Sequence, residues 1–400
     1  MGHHYVPRFY LRGFSDNGRT IGAYIFSPGR IQGSASIKDL CQRQGFHGET
    51  AELEDILTGL EDDVAPLFRV MLRTGTFPDV GSPEHVRICQ YISVQKGRTR
   101  READAFQDFV SAVARSAMDL APDLLGLDAG SQPDVRISPA AQIPIESAFS
   151  LAVFLWDLRP LLIRNTSQMS FVTSDTPVVE YNQLALALGE GSNQGTAAVG
   201  AQLFFPLSPE KLLVLYDSRA YTSPVGQSLE YTITSADEVT ELNALQWCSA
   251  QHSLLFRNRS RSDTSQVEEE ASRFALFRKK CESSDRASFF AKTRSPTGDE
   301  GRLLKLSGFE VAYELGWSLF RPKQKRKRQL RRMQATRKTL GWWPLRDPEM
   351  FRAFQFLEKR EEESKEKGEE YPADIAMQFY QASLVHVFGK KVIQLDGDDG

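Results

Sequence analysis

The sequence predicts an α+β protein: a small mixed or antiparallel sheet packed against several helices, with a mainly helical C-terminal extension. Three patterns predict it. Segments with apolar residues three and four apart dominate residues 50–158. Short β-branched and aromatic runs bounded by turn residues open the chain and recur between residues 170 and 216. Beyond Gly301 the chain changes character, with an aromatic stretch, a basic run and charged amphipathic segments in succession. We therefore divide it at a Ser-, Thr- and Gly-rich stretch, Ser283 to Arg302, into a domain over 1–290 and a helical extension with a basic segment over 301–400.

Taken in order, Val6–Phe14 and Thr20–Phe26 read as strands, with Ser15-Asp16-Asn17-Gly18 as the turn of a hairpin. Residues 29–48 read as loop. A helix begins near Thr50, with Leu53, Ile56, Leu57, Leu60, Val64 and Leu67 on its apolar face, and Pro66 is expected to kink or end it. Ser82-Pro83-Glu84 is a helix start: a capping serine, a proline in the first turn and an acid at the positive end of the dipole. That helix runs to about Gln95, and another covers about Arg101–Leu120. Asp128–Pro144 reads as loop and Ile145–Leu158 as helix. Ser170–Val179, Gln202–Phe205 and Lys211–Tyr216 read as strands. Ala236–Leu254 and Thr264–Cys281 read as helices, as do Asp347 to about Lys367 and Ile375–Phe388 in the extension.

Composition excludes several classes. The opening MGHHYVPRFYLRGF has no apolar h-region, so it does not read as a signal peptide. No stretch of 18 apolar residues occurs, which predicts no membrane span. Cys41, Cys89, Cys248 and Cys281 lie far apart without a CxxC pair, which points to reduced thiols in the cytoplasm. Gly189-Glu190-Gly191 with Gly195 lacks the ending of a phosphate-binding loop, and no GxSxG elbow is present. Net charge is −3, but Arg321–Lys338 holds ten basic residues and no acid, followed by an acidic stretch after Glu358. Lys325, Arg326, Lys327, Arg328, Arg331 and Arg332 are its candidates for gripping a nucleic-acid backbone; a solvated helix paired with the acidic stretch is the alternative.

Histidine is scarce, at six in the chain, and two are adjacent in His3-His4-Tyr5-Val6-Pro7-Arg8. On a strand, neighbours point to opposite faces, so one of the pair faces a given site; His4 can share a face with Val6 and Arg8. A neutral imidazole beside Arg8 suits a general base near pH 7. Glu54 and Glu61 lie seven apart, on nearly the same helical stripe, and Gln95 and Arg98 three apart at a helix end. In Phe171–Val179 a Ser174-Asp175 step interrupts an apolar run, where it needs hydrogen bonds or a function. Asp175 there suits a metal ligand, a histidine partner, a base or a turn that ends the strand.

Together these pieces resemble the His-Tyr-Val-Pro family, domain of unknown function 4238, found in bacteria and some fungi. The matches are His4-Tyr5-Val6-Pro7 with Phe9, Leu11 and Phe14; Leu53-Glu54 to Glu61; Gln95 with Arg98; Thr173-Ser174-Asp175-Thr176-Pro177-Val178; Phe205-Pro206-Leu207-Ser208-Pro209; and Asn243. They cover about residues 1–260 and leave 301–400 outside. The resemblance implies that these polar groups form one recurring set rather than any settled chemistry.

Two functions follow as expectations. The first is a nuclease-like hydrolase acting on phosphodiesters or nucleotides, of the toxin or defence-effector kind. In it His4, Glu61 and Asp175 are catalytic, Arg8, Gln95, Arg98 and Ser174 bind substrate, and a divalent cation is a candidate cofactor. The second is a non-catalytic module that binds nucleic acid or protein through the 321–338 run, with the histidine set structural. Trp342 and Trp343 then stack on bases or fill a core.

Overall fold

The computed structural model describes residues 2–48, 51–120, 136–188, 195–223, 225, 228–283, 289–294, 300–305, 319–336 and 346, with 359 and 363 as single positions. The chain opens with strand β1 (Gly2–His4), helix α1 (Arg8–Leu11), a 3-10 turn (Arg12–Phe14), and strands β2 (Thr20–Ile25), β3 (Arg30–Ser36) and β4 (Gln42–Gln44). Three long helices follow: α2 (Ala51–Thr74), α3 (Pro83–Gly97) and α4 (Arg100–Leu120). Next come α5 (Gln142–Leu151) with a 3-10 turn, β5 (Arg159–Asn165), β6 (Thr173–Ser174), β7 (Val179–Tyr181), α6 (Gln183–Leu186), β8 (Gln202–Ser208), β9 (Lys211–Tyr216), β10 (Tyr221–Thr222) and β11 (Glu230–Ile233). The rest comprises α7 (Ala236–Ser249), β12 (Ser253–Phe256), α8 (Arg261–Ser283), the hairpin β13 (Phe289–Arg294) and β14 (Glu300–Lys305), β15 (Arg321–Pro322) and α9 (Gln324–Thr336).

The fold is α+β. One sheet runs β11-β5-β9-β8-β7, antiparallel except for the parallel β11/β5 pair; a second runs β3-β2-β12-β6, antiparallel throughout. Every residue of β8 is buried. Alternation sends Leu203, Phe205 and Leu207 into one core with α2 and α3, and Phe204 into another with α7 and α8. A strand covered on both faces reads as a continuous apolar run, which is why Gln202–Phe205 was legible as a strand; the strand continues through Pro206 to Ser208. Among the described residues no helix is long and apolar enough to cross a membrane.

Several sequence expectations change. Val6–Phe14 is helical: Pro7, extended, precedes Arg8–Leu11, and Val6, Tyr10, Leu11 and Phe14 are buried at helical spacing. The hairpin is instead β2 with β3, and residues 29–48 hold two strands, both polar and mostly exposed. Helix α2 passes through Pro66 unbroken. Pro66 lies on the solvent face, where water satisfies the carbonyl it cannot serve, while Leu57, Leu60, Val64, Phe68 and Met71 keep the buried stripe running. Ile56, expected on that stripe, is exposed. Helix α7 stops at Ser249, so Leu254 belongs to β12. The start at Ser82 is as read: its hydroxyl accepts from the His85 amide at 3.2 Å. Asp347–Lys367, Ile375–Phe388, Trp342 and Trp343 lie outside the described residues apart from 359 and 363.

Buried polar groups tie α7 and α8 to the 170–177 segment. Asn243 accepts from the Val172 amide and donates to the Ser170 carbonyl and to Glu270. Glu270, 1% exposed, also accepts from the Trp247 indole and the Gln266 amide. Burial pushes its carboxyl up to about 7 against these three donors. A raised folded-state value means that the folded chain holds this proton more tightly than the unfolded one. Stability from Glu270 is therefore full below pH 4.5 and falls as pH rises toward 7, by up to about 1.4 kcal/mol per pH unit. Urea unfolding between pH 4.5 and 7 will show a smaller decline in Glu270→Gln than in wild type; equal slopes would refute the assignment.

Helices α3 and α5 approach so closely at Gly97 that a Cβ there would sit 2.7 Å from the Pro144 carbonyl oxygen and 2.8 Å from the Ala148 Cβ. Gly97→Ala should lower stability by about 1–3 kcal/mol, read as a lower melting temperature.

Candidate functional site

Strand β1 reaches the site by pairing antiparallel with β4, His3 opposite Arg43 and His4 opposite Gln42, and the Tyr5 amide extends the ladder to the Cys41 carbonyl. The chain then turns through Gly45–Gly48 and brings His47 back beneath His3. The His47 amide donates to His3 Nδ1 at 3.0 Å, and the two rings stack with centroids 5.1 Å apart. From α2, Glu54 rises between them: its Oε1 lies 2.5 Å from His47 Nδ1 and 3.8 Å from His3 Nε2. One ligand atom from each of His3, His47 and Glu54 lies within 4.8 Å of the others, so this set could hold a metal ion.

His4 points to the other side of β1. Its Nδ1 is buried without a hydrogen-bond partner. Burial and the Arg8 guanidinium lower its pKa, opposed by the Leu40 carbonyl, Glu61 and Glu54. Burial lowers that of His3 as well, opposed by Glu54. The Glu54 carboxyl is held down first by its bond to His47. Near neutral pH the His3 and His4 rings are therefore uncharged, with lone pairs to offer. His47 Nε2 is a second buried ring nitrogen without a partner.

A polar chain locks this arrangement to the helices. Gln95 donates to the Tyr5 carbonyl at 3.1 Å, Arg98 donates twice to Gln95 Oε1 at 2.9 and 2.7 Å, and its Nη1 donates to Glu61 at 2.7 Å. Arg98 is 1% exposed and lies 5.8 Å over the Tyr91 ring. The spacing of Glu54 with Glu61 and of Gln95 with Arg98 thus brings all four to the underside of β1. The site charge of Arg98 is spent on Gln95 and Glu61. It reaches a ligand only through them, not as the phosphate clamp expected from sequence.

Asp175 and Ser174 lie elsewhere. Both Asp175 oxygens accept backbone amides, from Gln251 at 2.8 Å and His252 at 2.7 Å, where the chain leaves α7 for β12. The carboxylate acts electrostatically on Tyr5, Cys41 and His252. Ser174 donates to Gln246 at 2.7 Å on α7. Arg8 is exposed on α1. Of the basic run, Lys325, Arg328, Arg331 and Arg332 are exposed on α9 and Arg326 and Lys327 half-buried, while Leu330 anchors the helix in the core.

His3 and His47 were not among the site residues read from sequence. Alternation along a strand selected His4 over His3, and His47 sits in a stretch read as loop. The only signal for it was the rarity of histidine.

Residues 2–260 match the family described as Protein of unknown function (DUF4238), and the chain belongs to that family. No curated protein and no solved structure matches it.

Removing the Asp175 carboxylate leaves two buried amides without an acceptor. Asp175→Ala should cost about 2–4 kcal/mol of unfolding free energy in urea titration. A loss under about 0.5 kcal/mol would mean that the carboxylate does not hold this junction.

Proposed function

We propose that this chain hydrolyses phosphodiester bonds, in a nucleic acid or a nucleotide, as an effector of the toxin or defence kind. The polar cluster beneath β1 is its reaction centre. One observation carries the reading: His3, His47 and Glu54 converge on one side of β1, His4 on its other side lies within electrostatic reach of Glu61 and Glu54, and two of the ring nitrogens are buried and unpartnered. Buried polar atoms are ordinarily satisfied. A pair left open beside carboxylates suits groups that bond to a ligand.

Phosphodiester hydrolysis needs one group to take a proton from the attacking water and one to deliver a proton to the leaving oxygen. His4 is assigned the first role through Nδ1. His47 is assigned the second: Glu54 at its Nδ1 fixes the ring, and Nε2 is the nitrogen that exchanges the proton. Glu61 and Arg98 position His4 rather than meet substrate. Exposed cations of α9 suit the phosphate backbone of a longer substrate through salt-sensitive contacts.

A non-catalytic module that binds nucleic acid or protein is the second reading. It is favoured by Asp175, Ser174 and Arg98, whose polar atoms are engaged with internal partners.

End-labelled RNA and DNA oligonucleotides, incubated with full-length protein, separate the two. The hydrolase reading expects cleavage by wild type and a loss of about 10²–10⁴-fold in His4→Ala, with the melting temperature within a few degrees. No cleavage of any oligonucleotide, together with salt-dependent binding that weakens when Lys325, Arg328, Arg331 and Arg332 are replaced by Ser, would leave the binding module.

A further inference from the structure

The geometry points to a divalent-metal site formed by His3, His47 and Glu54, selective for zinc-class ions over magnesium or calcium. It concerns the same cluster as the hydrolase reading, but the ion binds whether or not a phosphodiester is cleaved.

Glu54 Oε1 is shared by two imidazole nitrogens, His47 Nδ1 at 2.5 Å and His3 Nε2 at 3.8 Å. Because His3 Nδ1 accepts the His47 amide, the ring's own proton is on Nε2, facing the carboxylate. The His47 proton sits on Nδ1, facing the same oxygen. Two N–H groups thus converge on one carboxylate oxygen, and a divalent cation can replace both at that point. Ligand atoms about 2.0–2.1 Å from a tetrahedral ion stand about 3.4 Å apart, between the 2.5 and 3.8 Å seen here. The two rings, stacked and parallel, would tilt toward each other and the Glu54 side chain would shift to bring all three separations to that value.

The donor set selects the ion. Two imidazoles and one carboxylate suit zinc, cobalt, nickel or copper, whereas magnesium and calcium take oxygen ligands. Three protein ligands leave a fourth position open, the pattern of catalytic rather than structural zinc sites. His3 and His47 are both buried, which limits competition from water.

Burial also supplies an independent observation. His47 Nε2 has no partner, so it can accept the proton that leaves Nδ1 when Nδ1 takes the ion. On His3 the proton moves from Nε2 to Nδ1, where it meets the His47 amide. Binding should therefore break that amide contact and shift the His47 backbone resonance. No net proton is released by either ring.

The test uses full-length protein without substrate. Wild type titrated with Co²⁺ should develop visible absorption of a low-coordinate site and saturate at one equivalent, and Zn²⁺ should displace it. Mg²⁺ at the same concentration should not. His47→Gln and Glu54→Gln should each weaken binding by about tenfold or more, while His252→Gln, remote from the cluster, should bind as wild type. Far-ultraviolet circular dichroism identifies a variant that has not folded; His3→Gln, at the third ligand, then stands in for it. The proposal is overturned if wild type takes up no equivalent of Co²⁺ or Zn²⁺, or if uptake is unchanged in both ligand variants. Metal bound without cleavage of any oligonucleotide would sink the hydrolase reading alone. Cleavage by protein that takes up no metal would sink this site alone.

Discussion

The candidate site depends on a three-residue pairing. Strand β1 is held to β4 by three register pairs, and just beyond it the Tyr5 carbonyl is caught by Gln95 on α3. A strand this short contributes little on its own. Its position is fixed because the next residues, Val6, Tyr10, Leu11 and Phe14, are driven into the main core. Tyr10 alone donates to the Pro206 carbonyl, contacts Thr173 and stacks on Phe205. Apolar burial of one segment thus aims the two histidines that precede it. The site inherits its geometry from helix packing that its own residues do not make.

Two sets of polar residues differ in their physics. Around the 170–177 segment every named group has an internal partner: Asn243, Gln246, Glu270 and Asp175 satisfy backbone and side-chain atoms across α7, α8 and β12. Such a network specifies one arrangement of buried chain, since any slip would strand a polar atom. Around β1 the satisfaction is incomplete, at His47 Nε2 on one side and His4 Nδ1 on the other. The Arg98–Gln95–Glu61 chain lies at the boundary, closed on itself yet bearing on His4 through Glu61. Sequence patterning does not separate these populations, because a polar residue in an apolar run looks the same whether its partner is a distant amide or a ligand.

That limit explains what was legible. The helices α2 and α3 and the strands β8 and β9 follow from local periodicity and from the Ser82-Pro83-Glu84 cap, which act within a few residues. The seven-residue spacing of Glu54 and Glu61 likewise places both on one stripe. Val6–Phe14 misled because Tyr and Phe favour strands intrinsically, while burial at spacings of three and four made the segment helical. β3 and β4 are polar edge strands with no apolar alternation to reveal them. His47 was missed, and the partners of Asp175 were not legible, for one reason: the groups they bond lie 44 and 76 residues away, and only the fold brings them together.

The family match ends at residue 260, yet the folded unit does not. Phe320 packs on Tyr216 and Tyr221, Leu330 enters the second core, and Lys323 caps the Ser218 carbonyl. Arg346, also buried, forms a two-point bond with Asp157, a carboxylate fully shielded from water, and donates to the carbonyls of Phe154, Thr196 and Ala198. Among the described residues, a polypeptide ended at the family boundary would keep this interior anion with Arg219, itself partly exposed, as its remaining ion-pair partner. The late segment is therefore an electrostatic rivet, and the folded unit extends past the residues that the family match covers.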